Sequence, residues 1–89
     1  MSEFVEVSRI TGINWKIQQD ERAVLDLAEK MIAGLDYPPV VVEQVGIDPK
    51  MGAIYELIDG LLVCHAARLL RRDSVRAEIR NVNQFARKA

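Results

Sequence analysis

Apolar and polar residues change their rhythm several times along the chain, and each change predicts an element. Val5 and Val7 flank Glu6, so residues 4–7 read as a first, short strand. From Ser8 to Gln19 no period holds. Ile10, Ile13, Trp15 and Ile17 are scattered between Gly12 and Asn14, which predicts a loop tucking apolar side chains under the body, with Trp15 as an anchor at the core edge. From Asp20 the spacing becomes helical. Val24, Leu27, Ala28, Met31, Ile32 and Leu35 recur at steps of three and four and stack on one face, while Glu21, Arg22, Asp26, Glu29 and Lys30 take the other. Asp20 is placed to cap this helix and Gly34 to end it.

Pro38-Pro39 forbids further helix, and Val40-Val41-Val42 follows without alternation, as in a central strand covered on both faces. The heptapeptide GIDPKMG, Gly46 to Gly52, has the turn chemistry of a hairpin loop. Residues 54–58 alternate again as a strand. That strand runs through Asp59-Gly60 into an apolar, Ala-rich stretch that predicts a helix from about Leu62 to Arg71, with His65, Arg68 and Arg72 as its polar stripe. Asp73-Ser74 breaks it, and Val75, Ala77 and Ile79 alternate with Arg76, Glu78 and Arg80 in a last strand. The tail from residue 81 is polar and basic, with Phe85 alone able to dock. These elements describe one α+β domain over residues 1–89: a mixed sheet of about four strands with two main helices.

Eighty-nine residues suffice for one modest core. No apolar run approaches the roughly 18 residues of a membrane span, and the N-terminus has no basic-then-apolar signal pattern, so a cytoplasmic protein without membrane contact is expected. The single cysteine, Cys64, leaves neither an internal disulfide nor a metal cluster to build, and a buried small hydrophobe is its expected role. His65 is expected to be a solvated or hydrogen-bonded surface residue. A net charge of −1 hides an uneven distribution: residues 1–60 hold five Lys/Arg against eleven Asp/Glu, and residues 61–89 hold seven against two. Such a division marks either a nucleic-acid face or a self-complementary assembly surface, a homodimer included. Arg68, Arg71, Arg72, Arg76, Arg80, Arg87 and Lys88 are the candidate phosphate contacts.

The phrases LDLAEKMIAG, YPPVVVEQ, YELIDG with its AARLL helix, and VRAEI, in that order, resemble the N-terminal domain of the ParB partition proteins, which shares its fold with sulfiredoxin. The resemblance spans about Val5 to Val82. It implies a ligand site at the turn before the second helix, where the glycine is followed by Glu-Arg-Arg in ParB-like proteins, His-His-Arg in related free-serine kinases and Cys-His-Arg in sulfiredoxins. This chain keeps Asp59, Gly60 and Ala66 but places Leu61, Leu62 and Val63 in those three positions. Leucine cannot replace an arginine fork, and an apolar triplet raises the cost of burying a charged ligand. Cys64-His65 resembles the sulfiredoxin pair but lies three residues too late. The basic residue that the family places before the first helix has only Lys16 as its counterpart.

The resemblance therefore implies a non-catalytic ParB-like binding module in DNA maintenance, partition or regulation, holding DNA non-specifically by charge or binding a protein, with no cofactor or metal. The alternative is a nucleotide-binding or nucleotide-hydrolysing enzyme with an altered site. It would rely on Asp59 and Gly60 at the turn, with Glu56 and Arg68 nearby, although helix capping is the expected role of Asp59. Leu61, Leu62 and Val63 are expected to be packed.

Overall fold

A computed structural model describes residues 2–80. Five strands and two helices follow in the order β1 (Ser2–Glu6), β2 (Ile10–Thr11), α1 (Glu21–Ala33), β3 (Val40–Asp48), β4 (Gly52–Asp59), α2 (Leu61–Leu69), β5 (Ser74–Arg80), with a 3-10 turn at Val7–Arg9. The fold is α+β, as the hydrophobic pattern predicts, with five strands rather than about four. They form one mixed sheet in the order β1-β5-β3-β4-β2. β3 pairs parallel to β5 and antiparallel to β4, while β1 lies antiparallel on β5.

The core lies between one face of this sheet and the two helices. Val5, Val40, Val42, Tyr55, Val75 and Ala77 supply it from the strands, Leu27, Ala28 and Met31 from α1, and Val63, Cys64, Ala66 and Ala67 from α2. α2 is nearly all small or apolar on its inner side, which lets it lie close against β5 and β3. The triplet Val40-Val41-Val42 is in the central strand but is not covered on both faces. Val40 and Val42 are fully buried beneath the helices, whereas Val41 points to the open face and is only half-buried. Of the stripe expected on α1, Ile32 and Leu35 are exposed: Ile32 lies to the side of the buried Met31, and Leu35 falls beyond the end of the helix.

The predicted loop from Ser8 to Gln19 contains β2, whose two residues pair in parallel with Tyr55 and Glu56. Side chains reinforce this edge: Arg9 Nε donates to the Ala53 carbonyl at 2.9 Å and Thr11 Oγ1 to the Tyr55 carbonyl at 3.1 Å. The hairpin loop is shorter than Gly46–Gly52, since β3 continues through Gly46, Ile47 and Asp48 against Ile54, Ala53 and Gly52. Asp48 Oδ1 accepts the backbone N–H groups of Lys50 and Met51 at 2.8 and 2.9 Å, which closes the turn. The Met51 and Lys50 bonds hold its carboxyl below the ordinary carboxylate value.

Both helices end in one way. Beyond α1, Gly34 takes a left-handed φ of 75°, with Leu35 N–H on the Lys30 carbonyl and Gly34 N–H on Met31. Beyond α2, Arg71 takes φ 58°, with Arg72 N–H on the Ala67 carbonyl and Arg71 N–H on Arg68. Asp20 occupies the cap position of α1, but its carboxylate makes no capping bond; its backbone carbonyl accepts from Val24. Among the described residues no helix is long and apolar enough to cross a membrane.

Candidate functional site

The turn from β4 into α2 is pressed against the start of β3. Gly60 has φ 109°, and a Cβ added there would lie 2.8 Å from the Val40 Cα and 2.9 Å from its Cγ1. Glycine is therefore demanded by backbone packing, before any ligand is considered. Gly60 is also the N-cap of α2, and no side chain caps the helix. Asp59 does not take the capping role expected of it: its Oδ1 accepts only the neighbouring Gly60 N–H at 2.9 Å, because the helix begins one residue further on.

Beside this turn lies an open groove of about 460 Å³, walled by α1, the Pro38-Pro39 segment and the first turn of α2. Its apolar lining comes from Ala23, Leu27, Pro38, Pro39, Leu62 and Val63, and its charged residues are Asp26, Lys30 and Asp59. Val63 is buried and Leu62 packs half-buried against the core, as the sequence predicts, while Leu61 is half-buried without joining it. The groove lining contains no arginine, histidine or thiol. Among the described residues no group of three or more His, Cys, Asp and Glu is placed to hold a metal ion.

Cys64 is fully buried, and that burial pushes its thiol from 9.0 up to about 11. A thiol held neutral and enclosed is no nucleophile. His65 is not the solvated or hydrogen-bonded surface residue expected. It is half-buried with its ring centre 5.3 Å from that of Trp15, edge to face, and its Nε2 is buried without a hydrogen-bond partner among the described residues. Arg68, one turn on, places its guanidinium carbon 4.5 Å from the centre of the Trp15 ring. Trp15 thus fastens the loop before α1 to the outer side of α2 and is a core-edge anchor.

The candidate phosphate contacts are spread over the molecule. Arg72 Nη2 donates to the Met31 carbonyl at 3.3 Å, a cation on the last turn of α1. Arg76 pairs with Asp36 at 3.1 Å and lies over the Tyr37 ring at 4.8 Å. Arg71 and Arg80 are exposed and have no ion-pair partner among the described residues. Val75 and Ala77 point to the helices, so Arg76 and Arg80 project from the opposite face of the sheet, away from Arg68 on α2 and from Arg72, which lies beyond the helix end at Leu69 and not on the stripe expected of it. On that face Arg80 lies beside Glu43, which is in turn paired with Glu56. The fold therefore brings Arg68, Arg71 and Arg72 to one end of α2 and leaves Arg76 and Arg80 on the other side of the sheet. Lys16 lies exposed in the loop that Trp15 anchors and lines no part of the groove. Arg87 and Lys88, and the docking expected of Phe85, lie outside the described residues.

No protein-family model matches the sequence, and no curated protein matches it at the sequence level. Solved structures do match in three dimensions. Sulfiredoxin from Arabidopsis thaliana superposes with a TM-score of 0.72 at 17% identity, over 97% of this chain and 93% of that one. The C-terminally truncated chromosome-partitioning protein ParB from Caulobacter crescentus, in complex with CTP-γ-S, superposes with a TM-score of 0.64 at 16% identity. That match covers 97% of this chain and 47% of the ParB chain, so the chain spans about half of it. The fold is that shared by sulfiredoxin and the ParB N-terminal domain.

Proposed function

We propose that this domain is a non-catalytic ParB-like binding module in DNA maintenance, partition or regulation, and that it works by docking a protein in the groove beside α2. The lining of that groove carries the reading. The resemblance sets Leu62 and Val63 in positions of histidine or arginine, and Pro38, Pro39, Ala23 and Leu27 complete an apolar surface. Desolvating a triphosphate there costs several kcal/mol, and one lysine and the uncapped N-terminus of α2 are set against two carboxylates. An apolar side chain with charged neighbours meets the same surface without that penalty. Gly60, the residue that most suggests a nucleotide turn, is accounted for by its approach to Val40.

Non-specific DNA binding would draw on two separate groups of exposed arginines, Arg68, Arg71 and Arg72 in one and Arg80 in the other. They lie on different sides of the sheet, and Glu43 and Glu56 stand in the row of Arg80.

Titration with CTP and with ATP, and with a labelled duplex at two salt concentrations, tests the reading. Neither nucleotide should be turned over or bind saturably in the micromolar range. Turnover that disappears in Asp59→Asn would establish the enzyme instead.

A further inference from the structure

The groove and its complement lie at opposite ends of one helix. At the N-terminal end of α2 the groove is apolar, with two carboxylates, Asp26 and Asp59, against the single Lys30. At the C-terminal end Leu69 is 53% exposed, and among the exposed large apolar side chains of the described residues it is the one set in a run of arginines, Arg68, Arg71 and Arg72. Leu62, in the groove, and Leu69 are seven residues apart. Two helical turns place them on one side of α2, about 10 Å from each other. One side of one short helix thus carries an apolar recess with an acidic rim and an apolar projection with a basic rim.

We propose that the occupant of the groove is the C-terminal end of α2 from a second copy of this chain. Turning one copy end for end about an axis through the middle of α2 sets Leu69 of each chain on the Leu62, Val63 and Pro39 surface of the other. The same rotation brings Arg71 of each to Asp26 and Asp59 of the other. The two contacts are identical, as a twofold interface requires. Opposite rims meet and like rims do not, so charge selects the antiparallel arrangement of the α2 helices over the parallel one. Part of the segregation of acidic residues before Gly60 and basic residues after it falls on this surface, with Asp26 and Asp59 at one end and Arg68, Arg71 and Arg72 at the other. The dimer rests on the reading of the groove as a protein-docking site and names its partner.

Analytical ultracentrifugation of the full chain over a range of concentrations, at low and moderate salt, tests it. The parent protein should sediment as a dimer that weakens as salt rises. Leu69→Asp should be monomeric, and circular dichroism should show it folded, since Leu69 is exposed. The double variant Asp26→Lys/Asp59→Lys and the variant Arg71→Glu should each be monomeric alone, because each sets like charges against like. Mixed in equal amounts they should recover a dimer, each charge change answering the other. A parent that remains monomeric at low salt, a dimer indifferent to Leu69→Asp, or a mixture that stays monomeric would overturn the proposal. Nucleotide turnover would strike the non-catalytic reading and leave the dimer standing. A monomeric parent without turnover would remove the dimer and leave the groove to another protein.

Discussion

A methyl group added at Gly60 meets two obstacles. Its φ of 109° is one that L side chains rarely adopt, and the added Cβ strikes the Val40 Cα at 2.8 Å, a backbone atom that cannot rotate away. Left-handed strain and overpacking together put the cost of Gly60→Ala at about 2–4 kcal/mol. Urea unfolding measures it, and an unchanged midpoint would mean that the turn relaxes freely. Cys64 gives a second test, in pH. Folding holds its thiol neutral up to about 11 against an ordinary 9.0. The associated stability is fully present below pH 9 and is lost as pH rises through 11, an effect on the order of 2–3 kcal/mol. The parent should therefore lose more stability than Cys64→Ala between pH 8 and pH 11. Equal losses in the two proteins would show that the thiol ionises as readily folded as unfolded. The burial of Cys64 was legible in the sequence from its apolar neighbours. The contact of Gly60 with Val40 was not, because it joins two segments whose approach depends on sheet order.

At the scale of elements, the two helices solve one problem with different residues. The left-handed position after α1 holds Gly34 and the same position after α2 holds Arg71. A non-glycine residue there costs about 1–2 kcal/mol, partly offset because glycine gains more freedom in the unfolded chain. Arg71→Gly should accordingly stabilise the isolated domain by about 0.5–1 kcal/mol. Thermal unfolding of dilute protein reads this as a higher midpoint, and a lower one would show that Arg71 makes a contact worth more than the strain. Elements with a long period, α1 and β5, could be read from the sequence because each buries one face. β2 could not, since its two residues are defined by a parallel pairing with Tyr55 and Glu56 that has no local signature. The apolar stripe of α1 takes in Ile32 and Leu35, yet Ile32 lies to the side of the buried Met31 and Leu35 beyond the helix end. Periodicity reports which side of a helix is apolar and not how much of that side a neighbour covers.

At the scale of the molecule, the sequence correctly divides the charge but cannot show on which side of the sheet each part falls. Arg68 and Arg72 are read from a helix stripe, and Arg76 and Arg80 from a strand alternation. Only the buried positions of Val75 and Ala77 reveal that the two sets project in opposite directions. A straight duplex can lie against one set at a time. If it binds at all, each phosphate contact contributes about 0.9 to the slope of log affinity against log salt. Two paired variants then separate the faces: Arg68→Ser with Arg72→Ser, and Arg76→Ser with Arg80→Ser. We expect no more than one of them to flatten the slope, by up to about 1.8 for two contacts, with the loss alike on every duplex sequence. Arg72 and Arg76 also hold Met31 and Asp36, so circular dichroism of each variant must accompany the titration. Flattening by both variants would mean that DNA bends around the sheet edge and engages the two sides together. Flattening by neither, or no affinity at low salt in the parent, would exclude these arginines from DNA binding and leave the protein-docking groove as the functional surface.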